Sequence, residues 1–293
     1  MRIIIFIILF FSLQSQGQII RANPNYRPFA VGSSCSYLLD QYSGAAAAYS
    51  LRKLDCDYAG SAIRVRRSND NAEQDIGFTA NGDLDTATLK TFVGANSGYV
   101  TTWYDQAGSN NATQTTAGNQ PSIVSTGVLI RENDKPSIKF NTTNNFIHTI
   151  SNISGAYSFY SVLSVLNQSG YKGIFSTGNS VLNGFMVLSS SSSANWGTYA
   201  DGFGNYPANS NIKDAGIKLI ELIGTINNSG TFYLNTTSDG TYINSSGQSI
   251  KHIGGNYIIT QGLSGNISEI LLWNSTPSQS GIESNINTYY SIY

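Results

Sequence analysis

An all-β sandwich with a few short helices is the fold class that the sequence predicts. Short runs of β-branched and aromatic residues recur along the chain, Gly- and Asn-rich turns separate them, and helical patterning is confined to three segments. Apolar residues make up 40% of the 293 positions, enough to fill the core of such a sandwich.

Met1 and Arg2 precede an apolar run over 3–11, extended by Ser12 and Leu13 and followed by Ser15 and Gly17. A positive start, a short apolar stretch and small residues ahead of a cut predict a secretory signal peptide over 1–18. The run falls short of the roughly 20 residues that span a membrane, and no Cys follows it to carry a lipid. An uncleaved anchor is the competing reading. Residues 19–293 are then expected to form a single exported domain, secreted or held at the cell surface. No Pro-rich stretch or long Gly/Ser linker divides them, and the serine tract over 189–193 reads as a loop between strands. An exported chain with two cysteines permits one bridge, so Cys35 and Cys56 are expected to form a disulfide.

The Ala-rich stretch over 45–54, with Leu51, Lys53 and Leu54, predicts a helix. A second helix is predicted over 85–94, with Asp85 as its N-cap and Gly94 as its stop. At the C-terminus Ser280 and Glu283 have the spacing of a capping box, and Ile282, Ile286 and Tyr289 or Tyr290 fall on one face. Strands are predicted over 62–66, 99–104, 158–166, 184–189, 217–226, 231–234, 250–253 and 266–273, with turns at 228–230 and 238–240. The run over 217–226 is apolar apart from Lys218 and Glu221, so it is expected to lie centrally in its sheet.

Charged residues are 11% of the chain, against roughly 25% in ordinary soluble proteins. With 16 Lys and Arg against 17 Asp and Glu, the net charge is −1. That balance argues against nucleic-acid partners, which need clustered Lys and Arg, and against attachment to anionic lipid. Asn, Ser, Thr and Gly take the place of the missing charge, and a charge-poor surface rich in Asn, Ser, Thr and Tyr suits a neutral hydroxylated partner, of which glycans are the obvious class. His148 and His252 lie far apart and far from the cysteines, giving no zinc-ligand spacing. The acids Asp70, Asp75, Asp83 and Asp85 match no calcium loop. No cofactor is expected.

Two stretches resemble known families. Gly265-Asn266-Ile267-Ser268-Glu269-Ile270-Leu271-Leu272-Trp273-Asn274 and the helix after it are similar to the closing strand and helix of concanavalin A-like, laminin-G-like jelly rolls. Lys135-Pro136-Ser137-Ile138-Lys139-Phe140 resembles their early strand. The N-terminal half is similar to something narrower. Ala48-Tyr49-Ser50-Leu51-Arg52-Lys53-Leu54, Ile63-Arg64-Val65-Arg66-Arg67, Ala72-Glu73-Gln74-Asp75-Ile76-Gly77-Phe78 and Val100-Thr101-Thr102-Trp103-Tyr104-Asp105-Gln106-Ala107-Gly108 resemble the catalytic domain of α-L-arabinofuranosidase B, glycoside hydrolase family 54. The most specific piece is Tyr104-Asp105-Gln106-Ala107-Gly108 with the Asn-rich turn after it. The resemblance covers nearly all of the chain beyond the signal and implies a jelly-roll sandwich and an arabinose-containing glycan as partner.

A retaining glycosidase needs two carboxyls about 5 Å apart. The resemblance implies a Glu nucleophile downstream of a sugar-facing Trp and an acid/base Asp directly after a Gly-Gly pair. Here Gly254-Gly255 is followed by Asn256, whose amide cannot trade the catalytic proton. Trp196 is the matching Trp, and the first Glu after it, Glu221, sits inside an apolar strand; Glu132 precedes it, and Asp134, Asp201 and Asp214 are the acids between. The paired cysteines that line the family's sugar site are replaced by Gly173-Ile174. The chain therefore reads as a carbohydrate-recognition protein with a degenerate catalytic site, its glycan contacts expected from Trp196, Tyr199, Asp201, Gly255 and Asn256, with Phe203 and Tyr206 nearby. Two alternatives stay open: an active arabinofuranosidase-type glycosidase using a rewired pair such as Asp201 and Asp105, and an adhesion module with a protein partner. Asp105 is better read as a turn anchor, Glu269 as structural, Trp103 and Trp273 as core, and Arg64, Arg66 and Arg67 as a solvated strand face.

Overall fold

The computed structural model describes residues 35–143, 146–147, 155–166, 172–176, 185–189, 196–200, 203–205, 212, 216–226, 228–243, 251–255 and 262–293. Residues 36–293 cluster as one compact unit. Its centre is the antiparallel pair β12 (Ala156–Val165) and β21 (Gly265–Trp273). On the far side of β12 the sheet continues through β17 (Lys218–Thr225), β18 (Ser229–Leu234) and β19 (Thr237–Ile243). On the far side of β21, β1 (Ala45–Ser50) pairs with its C-terminal half and β10 (Ile138–Phe140) with its start.

The second layer runs β3 (Glu73–Ile76), β2 (Ile63–Arg67), β4 (Gly98–Trp103), β5 (Ala112–Thr113), β11 (Phe146–Ile147), β20 (His252–Ile253), β13 (Lys172–Ser176), β14 (Phe185–Ser189), β15 (Trp196–Ala200) and β16 (Phe203–Asn205). β6 (Ser122–Ser125) pairs with β4 and, at Ser122, with Lys139 of β10, so the layers join at one corner. β7 (Val128–Leu129) pairs with β6, and β8 (Arg131–Glu132) with β9 (Lys135–Pro136). This is the all-β jelly-roll sandwich that the sequence predicts.

Alternation explains the layers. Phe159, Leu222, Ile270 and Leu272 of the first sheet share a buried cluster with Ile63, Val65, Trp103, Phe146, Phe175 and Ile253 of the second. The intervening residues Tyr160, Val162, Leu219, Leu271 and Trp273 form another cluster, with Leu38 and Leu39 of α1 (Leu38–Gln41) and Ile282, Ile286 and Tyr290 of α3 (Gln279–Tyr290). Each such side chain contributes about 1.5–3 kcal/mol by leaving water. The first sheet is therefore covered on both faces, which is why β12 is buried from Tyr157 to Val165 and β17 reads as an apolar run. A bulge where Val162 faces Glu269 and Leu163 faces Ile267 leaves Ser268 unmatched, so Ile267 and Ile270 can both reach the inner cluster.

Three local expectations need correction. The Ala-rich stretch is strand β1, not a helix. Alanine propensity is a weak prior; β1 is covered on both sides, with Ala47 in the inner cluster and Ala48 in the outer, and small side chains fit there. The turn expected at 238–240 lies at Asn235–Thr236, where both residues take positive φ (48° and 71°), as a type I′ hairpin requires. Ser238 and Gly240 instead flank a bulge in β19 that leaves Asp239 unmatched and buried. Helix α3 starts at Gln279 with Ser278 as its N-cap and no side-chain cap bond, so Ser280 and Glu283 form no capping box. Helix α2 (Thr86–Val93) is capped as expected: Asp85 accepts from the Thr88 amide at 2.9 Å and its hydroxyl at 2.7 Å.

Candidate functional site

Asp105 follows β4 and is 1% exposed. Its Oδ1 accepts from the amides of Ala48 (2.8 Å) and Ala107 (3.0 Å), and its Oδ2 from that of Asn110 (3.1 Å). Gln106 continues the knot. Its Oε1 accepts from the Leu54 amide at 2.8 Å, and its Nε2 donates to the carbonyls of Ser50 (3.2 Å) and Arg52 (2.9 Å). The two side chains staple the turn after β4 onto β1 and the segment beyond it. Gly108 lies against the carboxylate: a Cβ there would come within 3.3 Å of Oδ2. The most specific motif of the sequence is thus an anchor built from main-chain bonds, and both oxygens of Asp105 are committed to it.

Glu269, on the outer face of β21, is 1% exposed and meets Arg52 in two parallel bonds, Nε to Oε2 at 2.8 Å and Nη2 to Oε1 at 2.9 Å. Ser50 Oγ donates to Oε2 at 2.7 Å, and the Tyr290 hydroxyl at 3.3 Å. Arg52 also donates to Asn285 Oδ1 at 2.8 Å and lies 4.9 Å from the Tyr289 ring centroid. Burial alone would lower the guanidinium's pKa; the charge of Glu269 and its hydrogen bond overcome that and raise it. Glu269 is structural, and its main partner is an arginine that the helix expected over 45–54 had hidden.

Glu221 of β17 is fully buried on the same outer face, opposite Tyr160 of β12 and Tyr233 of β18. The Gln279 amide donates to its Oε2 at 3.1 Å and to Glu283 Oε1 at 2.8 Å. Burial, then the charge of Glu283 and a hydrogen bond with it, push the Glu221 carboxyl up to about 9. Burial, and then the same two carboxyls, raise the Tyr160 phenol. This carboxyl pair was not found from sequence. The signal was Gln279 and Glu283 one turn apart on a helix that otherwise points Ile282 and Ile286 inward.

The described positions among those that the resemblance marks as sugar-facing lie in the other layer. The Gly254 amide donates to the Ile174 carbonyl at 2.7 Å, and the Leu263 amide to the Gly254 carbonyl at 2.8 Å. This sets Gly254-Gly255 beside Gly173-Ile174. Gly254 has φ +72°, and a Cβ on it would meet the Phe140 ring at 2.1 Å, so only glycine fits. β14 links β13 to β15, where Trp196 stands in register with Ser189 and Ser189 with Lys172. Trp196 and Tyr199 therefore lie in β15, a strand, and Phe203 lies in β16; pairing with the apolar strand β14 draws the segment into the sheet. Gly255 is buried. Asp201, Asn256, Tyr206 and Asp214 lie outside the described residues. Glu132 accepts from Ser164 Oγ at 2.7 Å and from Asn266 Nδ2.

Trp103 and Trp273 are fully buried. Arg64 pairs with Asp75 and Arg67 with Asp70, all partly exposed, and Arg66 lies 4.9 Å from the Tyr99 ring centroid. Neither cysteine is free, and both are disulfide-bonded.

Over residues 40–246 the chain matches the family model of the α-L-arabinofuranosidase B catalytic domain. Among solved structures, a family 54 α-L-arabinofuranosidase soaked with a cyclic sulfate inhibitor superposes with a TM-score of 0.68 at 17% identity. An arabinofuranosidase complexed with arabinofuranosyl-α-1,2-xylobiose superposes with a TM-score of 0.61 at 15% identity. Both alignments cover 88% of this chain and 66% of the other, so the chain spans just under two thirds of the length of those enzymes. No curated protein sequence matches it. At these identities the structural likeness shows the fold, and the family model, which spans more than half of the chain, carries the assignment: the chain belongs to the α-L-arabinofuranosidase B catalytic-domain family.

Proposed function

We propose that the chain is a secreted domain that binds arabinofuranosyl glycans and has lost the carboxyl pair of a retaining glycosidase. The observation that carries this reading is Glu221. It is the first glutamate after Trp196, and it is fully buried beneath α3, held by Gln279 and Glu283. The acid/base position after Gly254-Gly255 is Asn256. The other fully buried carboxylates described above are also committed, Asp105 to main-chain amides and Glu269 to Arg52. A two-carboxylate mechanism requires an open pair about 5 Å apart, and these residues supply none. A glycan ligand is supported by the complex of a fold relative with arabinofuranosyl-α-1,2-xylobiose. Export is supported by the signal-like start and the disulfide.

The test pairs binding with turnover. Calorimetric titration with arabinofuranosyl-α-1,2-xylobiose is expected to show binding, weakened at least tenfold by Trp196→Ala. Incubation with 4-nitrophenyl α-L-arabinofuranoside is expected to release no nitrophenol above buffer. Turnover abolished by Asp201→Asn would sink the reading in favour of a rewired glycosidase. Absence of binding to any arabinofuranosyl ligand would favour a protein-binding adhesion module instead.

A further inference from the structure

We propose that Glu221 and Glu283 form a proton-operated clasp: one shared proton holds helix α3 on the outer face of the sheet, and its loss in alkaline medium loosens the helix. The geometry begins with position. Glu221 is fully buried in the middle of β17, and Glu283 is 8% exposed on the inward side of α3, next to Ile282. A single amide, Gln279 Nε2, reaches both carboxyls, at 3.1 Å and 2.8 Å. It has one hydrogen for each and carries no charge to neutralise either. Among the described residues neither glutamate joins an ion pair, in contrast to Glu269 under the same helix.

The groups facing the pair come from every neighbouring element. Gln279 and Glu283 stand on α3, Tyr160 on β12, Tyr233 on β18, and Tyr293 at the C-terminus; the Thr236 amide also reaches Glu221. None is a cation. Two carboxylates in such a place would repel without compensation, whereas one carboxylic acid can donate its hydrogen to the other carboxylate. Complete burial and the neighbouring Glu283 carboxyl both favour the protonated form of Glu221. The Tyr160 and Tyr293 phenols are raised by burial and by the same two glutamates, so they stay neutral while the clasp titrates.

The direction in pH follows from linkage. The folded chain holds the Glu221 proton far above its ordinary 4.5, and the unfolded chain does not. The contribution of the clasp is complete below pH 4.5. It declines as pH rises and is lost as pH passes the folded value near 9. Within that window the folding constant falls by up to about tenfold per pH unit from this one proton.

Hydrogen exchange reads the clasp in the protein as it stands. Protection of α3 amides, corrected for the intrinsic rate and referred to the amides of β4, is expected to fall at least about tenfold between about pH 6 and about pH 10. Glu221→Gln keeps the shape of the protonated acid, donates to Glu283, and cannot ionise; in it the ratio is expected to stay level. If that variant does not fold, Glu283→Gln removes the second charge but not the burial, and is expected to make the same fall smaller. An α3 ratio that is level in the unaltered protein, or a fall that persists undiminished in either variant, overturns the proposal.

Discussion

Glu269 and Glu221 lie on the same face of the same sheet, separated by β12 and covered by the same helix. Glu269 has a guanidinium in two-point contact, a serine hydroxyl and a tyrosine hydroxyl. Glu221 has neutral amides and a second carboxyl. Both are almost fully out of water, so desolvation is not what separates them. The difference lies in what each carboxyl finds there. Glu269 meets an arginine there, and Glu221, without one, keeps a proton instead. The seam at Glu221 is thereby the one expected to respond to alkali.

Removing the guanidinium is the severest way to break this comparison. Arg52→Ala leaves Glu269 buried with hydroxyls only and also strips Asn285 and Tyr289 of their contacts with the arginine. The expected loss is about 3–5 kcal/mol, the usual cost of stranding one partner of a buried ion pair. Urea unfolding at constant slope checks it. Arg52→Met combined with Glu269→Met is expected to recover most of the loss, since apolar replacement of both partners removes the stranded charge. A single variant that costs less than about 1 kcal/mol would place the pair among the weak surface bridges.

Asp105 supplies a third kind of buried carboxylate, held by main-chain amides alone. In Asp105→Asn, the side-chain oxygen can still serve Ala48 and Ala107, but the new amide nitrogen faces the Asn110 N–H, donor against donor. The expected cost is about 1–3 kcal/mol, the penalty of a buried group left without its partner, read as a fall in the thermal midpoint. Affinity for arabinofuranosyl-α-1,2-xylobiose per mole of folded protein is expected to be unchanged. A weakened affinity at full folding would return Asp105 to the candidate site.

How much of this was legible depends on how local each signal is. The strands follow from alternation within single segments, and β2, β4, β12 and β21 lie within a few residues of expectation. The Asp105 anchor was legible because Gly108 and Asn110 follow it within five residues. β1 was not, because Ala45 to Ala48 carry helix propensity locally and become strand only through the layers packed on both sides. The bulge at Asp239 looks like a turn until its partner strand is known. Arg52–Glu269 and Glu221–Glu283 join residues far apart in the chain; the local spacing of Gln279 and Glu283 marks one side of the second pair but names no partner across the fold. Of the expected glycan contacts, the structure describes the backbone of Trp196 and Tyr199 and the buried Gly255, while Asp201 and Asn256 fall outside the described residues.

The smallest expected effect sharpens the comparison most directly, because it repeats the chemistry of Arg52 and Glu269 in water. Arg64 and Asp75, on β2 and β3, also meet through two bonds, at 2.9 Å and 2.6 Å, and the Tyr104 hydroxyl donates to Asp75 at 2.6 Å. Their side chains are 43% and 38% exposed. The hydrogen bond from Arg64 is the main reason that the Asp75 carboxyl is lowered, so this pair stabilises the fold above the ordinary carboxylate range and loses that contribution as pH falls through the lowered value. Its acid-side loss runs opposite to the alkaline loss expected of Glu221. Exposure limits its size: a double-mutant cycle of Arg64→Met and Asp75→Asn is expected to give a coupling below about 1 kcal/mol. The coupling should shrink further in about 1 M salt, where screening reaches only about 3 Å. The same cycle on Arg52 and Glu269 is expected to give a larger coupling that changes little with salt. Equal couplings at the two sites, or equal salt dependence, would mean that burial is not what distinguishes them.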